Sequence, residues 1–217
     1  MPGTIVPLGD RGFLASFATE DEAAGWAGAV GAGGRAGVVD VVLAYKTVGV
    51  HADPDRINLD DLAAWLARVE PAGPAEWGGR LVVVPVLYEG EDLAEVARRK
   101  GLNEDEVIAA HCGQDYRVLA IGFLPGFPYA GSLPEALSGL PRRDSPRTRV
   151  PAGSVAVVGR QTAVYPAESP GGWHLIGRTP LTVVDVASGR FPIRAGDRLR
   201  FVPIGRAEFE ARRGESL

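Results

Sequence analysis

Apolar positions change their spacing part-way along this chain. Beyond residue 117, short apolar runs recur between Gly and Pro: RVLAIGF, SVAVVG, TAVYP, WHLIG, LTVVDVA and RLRFVPI. Short strands with turn signals at such intervals predict a β-barrel or sandwich. LPEAL (133–137) is nearly the last helix signal there. Upstream the pattern is mixed. TIVPLGDRGFLASF (4–17) predicts two short strands broken by Gly-Asp, and EDEAAGWAGAV (20–30) a helix with acids in its first turn. GAGGRAG (31–37) ends that helix, and VVDVVLAY (38–45) with TVGVHA (47–52) predicts a strand pair. Asn58 caps a second helix, with Asp61 three residues on and Leu62, Leu66 and Val69 at helical spacing. The loop PAGPAEWGG (71–79) leads to a strand, RLVVVPVLY (80–88). The order βαββαβ suits a small ferredoxin-like α+β unit. Next come an amphipathic helix, EDLAEVARRKG, and a second helix, LNEDEVIAAHCG. In the latter, Asn103 and Glu106 form a capping box and Leu102 and Val107 a hydrophobic staple. The expectation is an α+β protein of two domains, 1–80 and 81–217.

Composition narrows the class. Hydrophobic content of 46% and charged content of 23% are ordinary for a folded protein, while Gly 29 and Pro 17 favour turns over a helix bundle. The net charge of −4 gives no reason to expect nucleic acid. Residues 1–80 hold 6 basic and 11 acidic side chains, so the excess sits there. One Cys, Cys112, rules out an intrachain disulfide. The start, MPGTIVPLGDRG, lacks a basic region followed by an apolar run, and no apolar run reaches membrane length. A cytoplasmic protein is expected.

The chemistry-bearing residues are few. His51, His111 and His174 are far apart and lack partners at ligand spacing, so no metal site is expected. No G-x-S-x-G occurs, and GAGGRAG lacks the Lys-Ser/Thr of a phosphate loop. Cys112 and His111 point about 100° apart on a helix and read as an inert thiol and a separate imidazole. His111 follows Val107 and Ile108 at helical spacing, which fits either a hydrogen-bonded core histidine or a general acid/base. RRDSPRTRVPAG places Arg142, Arg143, Arg147 and Arg149 together. Arg142 and Arg143 read equally as a solvated face. Arg147 and Arg149 lie on one side of a Pro-stiffened extended segment and suit a carboxylate or phosphate. GFLPGFPYAG (122–131) sets aromatic residues on a backbone of tight bends, as either a pocket wall or a buried plug. Gln161 and Tyr165 lie in a strand able to line a pocket, and SPGGWHLIGRTP sets Trp173 on a double-Gly bend and Arg178 before Thr-Pro.

GFLPGFPYAGSLP, PRRDSPRTRVPAGSV, QTAVYP and SPGGWHLIGRTPL together resemble, in order, the 5-oxoprolinase B-subunit family, also described as allophanate hydrolase subunit 1 or Kip-type sensor-kinase inhibitor. VVLAYKTVGVHADP and GDRLRFVPI extend the resemblance over nearly the whole chain. Cys112 stands where Ser or Thr is usual, and Ala163 where Gly is. The resemblance implies a small N-terminal α/β domain followed by a cyclophilin-like β-barrel of the carboxyltransferase type. It implies ATP as co-substrate, shared with a partner, and two companions, the C and A subunits. The implied activity is opening of 5-oxo-L-proline to L-glutamate, with the chain inactive alone. Inhibition of a sensor histidine kinase, or carboxyl-transfer or allophanate-type amide chemistry, are the alternatives. In the enzyme reading Arg147, Arg149 and Arg178 are the cations, His111 the proton shuttle and Gln161 an orienting amide. Phe123, Pro125, Phe127, Tyr129 and Tyr165 then form the substrate wall.

Overall fold

The computed structural model describes residues 2–71 and 79–217 and divides into two compact units, Met1–Gly78 and Gly79–Leu217. Most of the predicted loop at 71–79, namely 72–78, lies outside the described residues.

The first unit contains β1 (Thr4–Pro7), β2 (Gly12–Ser16), α1 (Glu20–Ala32), β3 (Val38–Ala44), β4 (Thr47–Ala52) and α2 (Leu59–Leu66). Thr19 and Glu22 close a capping box at the start of α1, and Asn58 accepts from the amides of Asp60 and Asp61 at the start of α2. These bonds satisfy donors that a helix leaves unpaired at its N-terminus. The strands form an antiparallel sheet of order β1-β2-β4-β3. Phe13, Ala15, Val48 and Val50 pack with Trp26, Val30, Leu62 and Leu66 of the helices as one buried core. GAGGRAG is a connector. Gly37 sits at φ +90°, and a Cβ there would come within 2.6 Å of Ile57 Cβ.

The second unit contains β5 (Leu81–Val86), α3 (Leu93–Lys100), α4 (Glu104–Cys112), β6 (Tyr116–Ile121), β7 (Pro128–Gly131), β8 (Arg147–Val150), β9 (Ser154–Val158), β10 (Gln161–Val164), β11 (Ser169–Gly171), β12 (His174–Arg178), β13 (Arg198–Pro203) and α5 (Arg206–Ala211). Seven of them form one sheet in the order β12-β9-β10-β7-β6-β13-β5, and β8 pairs with β11 separately. Leu87 and Arg178 exchange backbone hydrogen bonds of 2.9 Å, joining the end of β5 to β12 and nearly closing the barrel. Gly177 makes this seam possible, because a Cβ there would stand 2.6 Å from Val86 Cγ1.

The α+β class stands, with one strand relocated. β5, counted as the last strand of a βαββαβ unit, pairs in parallel with β13 of the barrel. Its alternate residues Val84 and Val86 enter the barrel core with Val118, Val155, Ile176 and Phe201. The first unit therefore keeps a four-stranded antiparallel sheet. LTVVDVA forms no strand beyond bridges at Thr182 and Asp185. There the Asp185 carboxylate turns the chain by accepting from the Ala187 and Ser188 amides. LPEAL is a turn in which Leu137 and Ser138 both donate to Pro134 O.

Candidate functional site

β9 is buried at all five positions. Val155 and Val157 face the barrel core, whereas Ala156 and Val158 face a second cluster with Phe127, Ala163, Tyr165, Trp173 and Leu175. Burial on both faces explains why SVAVV is a continuous apolar run rather than an alternating one. The second cluster floors a cavity of about 290 Å³ lined by Phe123, Phe127, Tyr129, Arg142, Arg143, Pro146, Tyr165 and residues 170–173.

Three bends build its walls. In the first, Leu124 donates to Gly122 O at 2.7 Å and Phe127 to Leu124 O at 3.0 Å, with Phe123 at φ +63° and Gly126 at φ +76°. This holds Phe123 at the rim, 59% exposed, while Phe127 is buried. The Phe127 ring meets Phe123, Tyr129, Tyr165 and Trp173 edge to face at centroid distances of 5.5, 4.9, 5.1 and 5.7 Å. Such contacts add about 0.5–1.5 kcal/mol each beyond burial, so this wall is preformed. The second bend is Ser169–Trp173. A Cβ on Gly171 would stand 2.4 Å from Tyr165 Oη, so only Gly lets the phenol lie against the backbone. The third bend carries Arg142 and Arg143, and is tied to the second where Arg143 N donates to Gly172 O at 2.8 Å.

A buried carboxylate anchors the third bend. Asp92, 3% exposed, accepts from Leu175 N at 2.7 Å, from Arg143 Nη1 and from both Arg147 Nη atoms at 2.9 Å. Burial alone would push this carboxyl up. The Arg147 and Leu175 hydrogen bonds and the Arg147 and Arg143 charges outweigh it and hold the group below its ordinary value. Arg147 also pairs with Glu91 at 3.0 Å. Arg143 and Arg147 are thus spent on carboxylates, and Arg142, exposed at the rim, pairs with none among the described residues. Burial pushes the Tyr165 phenol up to about 12, with Arg142 and Arg147 pulling the other way. At neutral pH Tyr165 is a hydrogen-bond donor, not a base. The lining offers aromatic faces, phenols and guanidinium groups, with no carboxylate or imidazole among the described residues.

The cations predicted from spacing are placed differently. Arg149 lies outside the cavity, 76% exposed, with its fork on Glu168 at 2.9 and 3.0 Å. Arg178 caps Ala152 O at 3.0 Å beside the barrel seam, and Gln161 opens β10 opposite Gly131 and Val158. Pro125 is exposed and does not line the cavity. Arg142 and Arg143, read as equally suited to a solvated face, are the arginines at its edge. Spacing along an extended segment gives the side of a strand but not the carboxylate that waits there.

His111 is also elsewhere. It is completely buried in the barrel core, stacked on Tyr116 and against Phe201. Thr162 Oγ1 donates to Ala156 O at 3.2 Å, so it accepts from His111 Nε2–H at 2.8 Å. His111 Nδ1 then accepts from Tyr88 O–H at 2.7 Å, and Tyr88 Oη accepts from the Cys112 thiol at 3.1 Å. Both ring nitrogens are used, and burial pulls the imidazole down to about 3. Of the two sequence readings, the geometry is that of the core histidine.

Known proteins share this architecture. The family model "Carboxyltransferase domain, subdomain C and D" matches residues 3–192. The 5-oxoprolinase B subunit of Escherichia coli O157:H7 is 45% identical over 171 residues, 76% of this chain and 78% of the relative. Its namesake from Haemophilus influenzae is 35% identical over 213 residues, 93% of this chain and 98% of the relative. The chain belongs to the 5-oxoprolinase B-subunit family. Among solved structures, TTHA0988 aligns at 40% identity with a TM-score of 0.80, covering 90% of this chain. This chain spans only 40% of that longer protein. Kluyveromyces lactis urea carboxylase, 20% identical, shares the fold over 96% of this chain and 22% of its own, with a TM-score of 0.66. GFLPGFPYAG, the Arg142–Arg143 pair, Tyr165 of QTAVYP and the SPGGW bend all converge on this aromatic cavity.

Proposed function

We propose that this chain is the B subunit of an ATP-dependent 5-oxoprolinase and supplies part of a composite site that opens 5-oxo-L-proline to L-glutamate. The C and A subunits are the companions, and the chain is inactive without them. The observation that carries this reading is the aromatic, Arg-rimmed cavity in a chain of the B-subunit family. At about 290 Å³ it lies at the small end of ligand pockets and suits a five-membered lactam. The Phe127 cluster faces the ring, and Arg142 is the cation free to meet its carboxylate.

A lactam carbonyl is a poor electrophile. Transfer of the ATP γ-phosphoryl to the carbonyl oxygen, releasing ADP, activates the ring carbon. Water then attacks, the C–N bond breaks with its electron pair on nitrogen, and a second water releases phosphate. The residues here bind, orient and exclude bulk water. A base for the attacking water comes from a companion, because the cavity lining has no carboxylate or imidazole among the described residues. ATP is held by a companion or shared with one. GAGGRAG forms and leaves the carbonyl end of α1, the wrong end of a helix for phosphate.

The test is glutamate released from 5-oxoproline and ATP by the three reconstituted subunits, with and without this chain. Release should require the chain; release by the companions alone would sink the proposal. Within the active complex, Arg142→Ala should raise the KM for 5-oxoproline at least tenfold with a smaller change in kcat. Arg149→Ala, whose partner is Glu168 outside the cavity, should leave KM within about twofold. The reverse ranking would move the carboxylate to the sequence-predicted cation.

A further inference from the structure

Tyr165 follows β10 with its backbone fixed on both sides. Its N–H donates to Ser154 O at 2.9 Å, and its carbonyl accepts from Gly153 N at 2.8 Å. The ring meets Phe127 edge to face at 5.1 Å, and the residue is 1% exposed. A buried phenol ordinarily finds a hydrogen-bond partner, because an unpaired hydroxyl away from water is costly. The other buried phenols of this unit do so: Tyr88 bonds His111 and Cys112, and Tyr116 donates to His111 O. Tyr165 Oη has no such partner among the described residues, although the side chain lines the cavity.

What surrounds this oxygen limits what it can meet. A Cβ on Gly171 would stand 2.4 Å from Oη and 3.1 Å from Cζ, while one on Gly172 would stand 3.9 Å from Arg142 Cβ. Two consecutive glycines thus bring the phenol and the root of the Arg142 side chain to one short stretch of backbone. The charges of Arg142 and Arg147 reach the phenol and favour negative charge beside it. The hydroxyl is neutral at physiological pH, so it enters a contact as a donor. A fixed donor beside a guanidinium suits the two oxygens of one carboxylate. It suits the lactam carbonyl less, since that oxygen must keep a lone pair for the incoming phosphoryl group.

We propose that Tyr165 sets substrate specificity: its hydroxyl donates to one oxygen of the substrate carboxylate while Arg142 holds the other. The identity of the substrate rests on the 5-oxoprolinase reading. The pair selects small cyclic amides that carry a carboxylate beside the ring nitrogen, and the Phe127 cluster receives the ring. A lactam without that carboxylate leaves both the phenol and the guanidinium unpaired, and a site built on hydrogen bonds rejects such analogues strongly. Gly171 shares the role, because a Cβ there would drive the phenol from its place.

The test uses the three-subunit complex with the full chain. Tyr165→Phe keeps the ring contact with Phe127 and removes no hydrogen bond within the chain, so the melting temperature of the free chain should not fall. In the complex the KM for 5-oxoproline should rise about tenfold, the low end for a hydrogen bond to a charged group, with kcat within about twofold. Combined with Arg142→Ala, the rise should fall short of the product of the two single rises, because both groups hold the same carboxylate. Gly171→Ala, which crowds the same oxygen, should raise KM likewise and stands in if Tyr165→Phe does not fold. A wild-type KM in Tyr165→Phe would overturn the assignment while glutamate release still upheld the 5-oxoprolinase reading. A lowered kcat at unchanged KM would move the phenol to the lactam carbonyl and overturn it as well. A wild-type complex that releases no glutamate would sink the assignment together with the 5-oxoprolinase reading.

Discussion

Asp92→Ala should destabilise the second unit by about 3 kcal/mol, at the low end of the cost of breaking a buried ion pair. The loss has two parts. Leu175 N–H is left without its 2.7 Å acceptor inside the barrel wall, and Arg143 and Arg147 lose the carboxylate that gathers them. The arginine side chains keep 30% and 16% of their exposure and Arg147 keeps Glu91, which limits the penalty. Asp92→Asn, which can still accept from Leu175 N–H, should cost less. The function of the cavity should suffer beyond stability, because Arg143 ties the Arg142 bend to Gly172. Denaturant unfolding gives the first effect. The KM for 5-oxoproline, measured on the folded variant in the active complex, gives the second. A variant of wild-type stability and KM would show that Asp92 anchors nothing.

Acid should unfold the barrel through His111. Its folded-state value of about 3 lies below the ordinary 6.5, so the unfolded chain binds the proton first. Stability is therefore full above pH 6.5 and falls as pH drops from there towards 3. At about 1.4 kcal/mol per pH unit, the loss approaches roughly 5 kcal/mol at the acid limit. Asp92, also held low by its arginines, adds a loss in the same direction once pH falls below the ordinary carboxylate range. Urea midpoints at pH 7.5, 6, 5 and 4 should decline steadily. His111→Gln should be less stable at pH 7.5 and show a shallower decline. Equal midpoints from pH 7.5 to 4.5 in the wild type would refute a buried neutral imidazole.

Much of the architecture could be read from local pattern. The caps at Asn58 and Asn103 begin helices where expected, since a side-chain acceptor and its amides lie within three residues. β6, β9 and β12 fall largely on apolar runs between Gly and Pro, and β4 coincides with TVGVHA. α5 gave no comparable signal; it buries only Phe209, on a short helix without a side-chain cap. Among the site residues, Phe123, Phe127, Tyr129 and Tyr165 converge as the aromatic motifs suggested. His111 and the arginines did not, for a shared reason. An imidazole has the same sequence whether Tyr88 and Thr162 fill its two nitrogens or solvent does. Arg147 and Arg149 have the same spacing whether or not Asp92, more than fifty residues upstream, takes one of them.

The sequence by itself determined what depends on neighbours along the chain: helix starts, tight bends, the apolar strands and the family. Those rest on hydrogen bonds and sterics a few residues in range. Only the tertiary structure decided the placement of β5, the burial of His111 and the pairing of the arginines. Each depends on which distant groups meet, and for buried charges and polar atoms the partner, rather than the residue, sets the energy.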